Sequence, residues 1–401
     1  MIKKTISLLQ EFSIPLIAGV VVALFWANQN YEGYHHFIDA PLFGGPMIFG
    51  HQLTFHFLMN DIFMVLFFGI AGVEITQAAL PGGSLNPISR AVNPLLGTLG
   101  GVLGPVGVFF LLGYTLDLSS LIGGDITLGT ILNGWGVPTA TDIALAWLVA
   151  RLVFGASHPA VSYLLLLAVA DDAIGLGIIA VFYPDPNHPV EIQWLFLTLL
   201  GMAVSFGLRK MDVKNFWPYL LIGGGLSWCG LILAYLHPAL ALVFIVPFMP
   251  ANKGNHGELF EDEPDHEHAP LTEFEHKFKL PVDLGLFGFG LANAGVLFAG
   301  INSVTWMILA ALLVGKTVGI TFFGMLGNVL GSKLPDGMNV KTLALAGLIA
   351  GLGLTVALFV SGEAYTDPGL QGAAKMGALL SAIAAPLAII LGIVLKVQKK
   401  N

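Results

Sequence analysis

The sequence predicts an all-α membrane protein with about 12 transmembrane helices, and three observations lead there. Of its 401 residues 56% are hydrophobic and only 10% are charged, with a mean hydropathy of +0.82. The apolar residues fall into runs long enough to cross a bilayer, since about 20 suffice for a hydrocarbon core of about 30 Å. The positive charges cluster in alternate loops, as cytoplasmic loops require. A soluble chain carries roughly a quarter charged residues, so lipid must solvate most of this one. A soluble enzyme, a disordered scaffold and a nucleic-acid binder are excluded.

Hydropathy places spans near 12–28, 56–76, 93–115, 128–150, 160–182, 192–208, 216–236, 238–250, 284–300, 304–329, 342–362 and 371–395. Lys3 and Lys4 precede the first run like a signal peptide, but it ends at Trp26-Ala27-Asn28 with no small-residue cleavage site, so the span is read as uncleaved. With the N-terminus inside, 15 of the 17 Lys and Arg residues fall on the inner side. The exceptions are Lys375, assigned to an outer loop, and Lys316, inside a span. Both termini are therefore expected in the cytoplasm, with one membrane domain over 1–401.

Two insertions interrupt the apolar pattern. The outer segment 29–52 contains Pro41-Leu-Phe-Gly-Gly-Pro-Met-Ile-Phe49, where Gly44-Gly45 between apolar arms predicts a short β-hairpin, a candidate partner-binding edge. The inner loop 251–279 is acidic and reads as solvated. The 50 glycines recur inside spans, where small residues let helices approach closely in lipid. Cys229 stands alone, so no disulfide forms within the chain.

Ionisable groups inside a membrane cost roughly 2.5–3.5 kcal/mol each on the insertion scale, so each needs a partner, water or a task. Asp171 and Asp172 sit mid-span with about ten apolar-flanked residues on either side, too deep to reach a headgroup. Adjacent helical residues point about 100° apart, so one carboxylate can face a neighbouring helix and the other a cavity. Two such groups do not both carry charge cheaply, which suits them to exchangeable protons. Lys316 lies equally deep, and one of the two aspartates is its natural counter-charge. Gly136-Val-Pro-Thr-Ala-Thr-Asp142 breaks a span where only protein or a cavity can satisfy the freed backbone. Asp142 can neutralise the positive half-helix end that such a break creates. Gly347 to Thr355, with Gly351 and Gly353, is a comparable weak point in the eleventh span. Paired breaks predict inverted repeats, about 93–182 and 304–395, with an ion site between them. Asp61 opens the second span and Glu74 closes its apolar run; both are candidate pathway groups.

Carboxylates, hydroxyls and carbonyls without thiolates suit a small hard cation, sodium or lithium. If the same carboxylates hold either protons or the cation, alternate exposure to the two sides exchanges one for the other. Two protons against one monovalent cation would also move net charge. A sodium-coupled symporter of an organic solute is the alternative, but few other polar residues lie in the spans to bind such a solute. A cation channel is disfavoured by the buried lysine, and a membrane enzyme by the absence of a nucleophile–base pair or His/Glu metal motif.

Along nearly its whole length the chain resembles the bacterial NhaA family of sodium/proton antiporters. The likeness rests on Asn60-Asp61 with Glu74, Pro138-Thr-Ala-Thr-Asp-Ile-Ala144, Ala170-Asp-Asp-Ala-Ile-Gly175, Ala292-Asn-Ala-Gly-Val296, and Gly315-Lys316 with Gly319. It implies that Asp171 and Asp172 bind the ion and carry protons, that Lys316 is their partner, and that Thr141, Asp142 and the Gly351–Thr355 stretch form the crossing of two broken helices. It further implies a secondary transporter of the bacterial inner membrane that needs no cofactor, forming homodimers partly through the outer hairpin. The departures concern regulation. Ile75-Thr-Gln-Ala-Ala-Leu80 stands where members carry a dense charged cluster. Glu275-His276 is kept, but Thr272 and Glu273 replace nearby basic residues. An altered pH profile is therefore expected.

Overall fold

Prolines and capping side chains start most of the helices, because apolar runs of this length carry no internal signal of their own. A computed structural model describes residues 13–86, 88–185, 188–251 and 269–400. Helix α1, Ile14–Gln29, is followed by the short α2, Tyr31–Asp39, and a two-residue antiparallel pair, β1 Met47–Ile48 and β2 His51–Gln52. Then come α3 Phe55–Ala79, α4 Ile88–Thr115, α5 Leu128–Thr139, α6 Ile143–Phe154, α7 Pro159–Phe182, α8 Ile192–Lys210 and α9 Tyr219–Leu233. The chain continues through α10 Pro270–Asn293, α11 Ser303–Val329, α12 Val340–Ala350, α13 Thr355–Ala364 and α14 Pro368–Val394. Side chains of Thr54, Thr127, Asp142, His158, Asn302, Asn339 and Asp367 accept backbone N–H groups at helix starts.

Among the described residues six continuous helices are long and apolar enough to cross a membrane, or eight spans if each of two bent pairs counts once. The bent pairs are α5–α6 and α12–α13, each turning by 53°. The result is a helical multi-pass membrane protein. Pro138 ends α5 by removing a donor, and Ala140 and Asp142 continue in extended backbone. The second break, 351–354, falls on Gly351 and Gly353.

Several sequence-based expectations change. Residues 238–250 form short 3₁₀ turns, Pro238–Leu240 and Val246–Phe248, in place of a helix, since Pro238, Pro247 and Pro250 cannot donate to an α-helical ladder. Helix α10 starts at Pro270 and stops at Asn293, so the span expected at 284–300 begins a good deal earlier and the loop expected to reach 279 ends before it. Proline suits a first helical position and Glu273 the first turn, two start signals that the charge of the segment obscured. The acidic stretch 252–268 lies outside the described residues. The strand pair turns at Phe49-Gly50, both with positive φ, and not at Gly44-Gly45. Lys375 is no loop residue: it is buried inside α14.

The main core draws buried residues from α1–α7 and α9–α14, with both broken pairs inside it. Helix α4 crosses α11 where Gly104 faces Gly315, so closely that a Cβ on Gly315 would stand 2.6 Å from the Cα of Pro105. That approach fixes the depth of Lys316, the next residue.

Candidate functional site

Asp171 is the thirteenth residue of α7, about 18 Å from the helix start, and both it and Asp172 are buried. Facing them, α11 supplies Lys316, which is fully buried. Its ammonium Nζ donates to Asp171 Oδ2 at 2.5 Å and to Thr141 Oγ1 at 2.5 Å. Thr141 lies in the break between α5 and α6, where the extended chain turns its hydroxyl inward. The hydroxyl is 2.7 Å from Asp171 Oδ2 and 3.0 Å from the carbonyl of Ala350. Because the ammonium occupies its acceptor side, its single proton is shared between those two oxygens. Lysine, threonine and aspartate thus form a closed triangle that spends one oxygen of Asp171.

The other oxygen is left over. Asp171 Oδ1 and Asp172 Oδ1 are buried without a hydrogen-bond partner among the described residues. A buried carboxylate oxygen without a donor is expensive, so both positions suit a proton or a small cation.

Asp142 has a different task. Its Oδ1 accepts the Leu145 N–H at 3.1 Å as the N-cap of α6. Its Oδ2 accepts the hydroxyl of Thr355 at 3.2 Å and, at 3.4 Å, its N–H, at the start of α13. One carboxylate therefore stands at the positive ends of two half-helices, each equivalent to roughly half an elementary charge. The Asp142 N–H donates to Leu352 O at 2.6 Å and ties the two breaks together. Gly353 permits the crossing: a Cβ there would lie 2.8 Å from Leu312 Cδ2 and 3.1 Å from Ala140 O.

A cavity of about 110 Å³ reaches this crossing from the end of the molecule where α1 begins. Asp172, Asp142, Thr141 and Thr355 line its depth, with Glu74 on its wall. Asp171 is absent from the lining, so the aspartate pair divides into a cavity-facing member and a lysine-facing one. Lys279 and Asp283 of α10 also line it. Sequence reasoning passed over both, because it started the ninth span at 284.

The remaining expected site residues lie elsewhere. Glu275, on α10, accepts from Gln77 Nε2 at 2.8 Å, while His276 is exposed. Asp61 sits in a π-helical turn, Leu58–Phe63, at the opposite end of α3, with its backbone carbonyl held by Trp228 Nε1 at 2.9 Å. It joins a polar cluster that the sequence did not disclose, built on His237, Glu363 and the buried Lys375.

Crossed half-helices around buried carboxylates define a class: a membrane protein whose ionisable site lies at mid-depth between two broken spans. The chain belongs to the Na+/H+ antiporter 1 family, whose model matches residues 4–395. It is 60% identical over 397 residues to Na(+)/H(+) antiporter NhaA 2 of Pelobacter propionicus, covering 99% of each chain. It is 59% identical to Na(+)/H(+) antiporter NhaA of Geobacter sulfurreducens, again over 99% of each. A more distant relative, Na(+)/H(+) antiporter NhaA of Jannaschia sp., is 42% identical over 97% of each chain.

Proposed function

We propose that this chain exchanges sodium or lithium for protons across a membrane, by competition at Asp171 and Asp172. One observation carries the reading. Two adjacent buried carboxylates each keep an oxygen without a donor, and Asp172 faces a cavity while Asp171 faces a lysine. A cation entering the cavity meets Asp172 first, with Thr141, Asp142 and Thr355 as further oxygens nearby. Its charge there favours loss of the carboxyl protons, and protons arriving from the other side displace it in turn. Two protons for one monovalent cation move one net charge, so an inside-negative potential drives sodium outward. Family membership and the relatives' names support this reading, and no cofactor enters the cycle.

In the same reading the cavity end is cytoplasmic, which makes this the inward-open state. The orientation rests on the Lys and Arg distribution, with both termini inside the bacterial inner membrane. The two bent pairs run in opposite senses within inverted repeats, and the irregular segment 238–250 completes twelve passages. The β1–β2 edge, flanked by exposed Phe43, Met47 and Phe49, suits a homodimer contact. An organic-solute symporter is not favoured, since the cavity holds only about 110 Å³.

The test uses inside-out vesicles with a pH-sensitive dye, comparing wild type with Asp172→Asn after adding sodium, lithium or potassium. Sodium and lithium should move protons in wild type only, and potassium should not. Proton movement untouched by the substitution would end the reading.

A further inference from the structure

The cluster at the far end of α3 is not needed to bind the ion, yet it places several ionisable groups inside the protein. Glu363, near the end of α13, has its Oε1 3.1 Å from Nε2 of His237. The other ring nitrogen, Nδ1, accepts the N–H of Ala239 at 3.4 Å, so the ring proton sits on Nε2 and is donated to Glu363.

Lys375 stands nearby on α14 with 7% of its surface exposed. Its ammonium has no hydrogen bond and no close ion pair among the described residues. The acids within its electrostatic reach are Glu363 and Asp39. A buried cation without a partner is costly, so this lysine should have a partner in some state of the protein. The charged or titratable groups that act on Glu363 are His237, His56 and Lys375, and Asp61 feels both His237 and Glu363.

Helix α13 connects this cluster to the ion site. Thr355, Phe359 and Glu363 follow at four-residue spacing, on one face of one ten-residue helix. Thr355 bonds Asp142 at the crossing, and Phe359 packs edge-on against both Phe68 and His237, with ring centroids 5.2 Å and 4.6 Å apart. At the outer end of α13, Gln371 of α14 donates to Gly362 O and Tyr365 O at 3.0 Å and 3.2 Å. Lys375 lies one turn further along α14 on that same face. A displacement of α13 that accompanies a change of charge at the crossing therefore moves Glu363 relative to both His237 and Lys375.

We propose that Glu363 is a positioning residue that changes partners during transport, held by His237 while the cavity at Asp172 is open and by Lys375 once that cavity has closed. The proposal rests on the antiport reading and adds to it the part that sets which side the site faces. Removing His237 should favour the closed-cavity state, and removing Lys375 the open one. The apparent affinity from each side follows the population that faces it.

The experiment reconstitutes the full chain in proteoliposomes and measures the half-saturating sodium concentration from each membrane side. Wild-type exchange in the same vesicles tests antiport itself, and the ratio of the two half-saturation values tests the latch. In His237→Gln the cavity-side value should rise roughly three- to tenfold relative to the far-side value. In Lys375→Met the ratio should move by a similar factor the other way, while Lys375→Arg stays near wild type. On a Glu363→Gln background both substitutions should become silent. The ratio does not depend on how much protein folds, and Lys375→Gln serves equally if the Met variant fails to accumulate. Shifts in the same direction, no shift, or shifts that persist without the Glu363 carboxylate would each overturn the proposal.

Discussion

Replacing Lys316 with methionine removes the only cation in contact with Asp171 among the described residues. At the observed 2.5 Å, and at an effective dielectric constant of about 20, two unit charges attract by about 7 kcal/mol. Desolvation offsets part of that, and breaking a buried pair by deleting one partner typically costs about 3–5 kcal/mol, because the other charge is left stranded. The loss therefore resides mostly in the abandoned carboxylate, and removing that carboxylate as well should restore much of it. A double-mutant cycle of Lys316→Met and Asp171→Asn, read as thermal unfolding in detergent at pH 8, isolates the coupling. Lys316→Met alone should lose about 3–5 kcal/mol, and the double variant should recover at least half of that. Additive losses would refute the idea that the lysine stabilises the fold by neutralising Asp171.

Three further outcomes follow from the geometry. Asp142→Ala leaves two half-helix N-termini without their shared acceptor; at about 1–2 kcal/mol per lost cap, thermal stability in detergent should fall by about 2–4 kcal/mol, and a loss under 0.5 kcal/mol would contradict the shared cap. Gly353→Leu forces a branched side chain against Leu312 and Ala140, so transport in proteoliposomes should drop at least tenfold, whereas a variant with ordinary rates would show that the crossing is looser than described. His158 caps α7 through Nδ1, outside the span, and burial followed by the nearby Lys400 charge hold its pKa below the usual 6.5. A depressed histidine pKa means the unfolded chain binds more protons, so this contribution is complete above pH 6.5 and is lost as pH falls through the folded-state value. His158→Asn keeps the cap without the titration, and its melting temperature should decline less than that of wild type between pH 7.5 and 5.5.

Much of the candidate site was legible because charge in a lipid-solvated span has few innocent explanations. Asp171, Asp172 and Lys316 stood out against apolar neighbours, and the structure puts Lys316 against one of the pair. Which one it chose depends on how α7 is rotated, and no feature of the sequence states that. Asp142 was marked by the adjoining proline and threonines, but its second bond, to Thr355, joins residues 213 apart in the chain. Prolines misled the hydropathy reading at 238–250, where an apolar run without enough donors becomes a series of 3₁₀ turns. Lys375 was assigned to a loop because lysine normally snorkels to water; it is the packing of α14 against α11 and α13 that buries this stretch. Glu363 and His237 each lie near a span end and looked unremarkable apart, so their meeting is purely tertiary.

The central claim is that sodium and protons compete for the same carboxyl oxygens. Calorimetric titration of the purified protein with sodium chloride, in two buffers of different ionisation enthalpy at one pH, counts the protons released per ion bound. The account predicts between one and two protons released near neutral pH, and none in Asp171→Asn/Asp172→Asn. Sodium binding of equal strength with no proton release would contradict it.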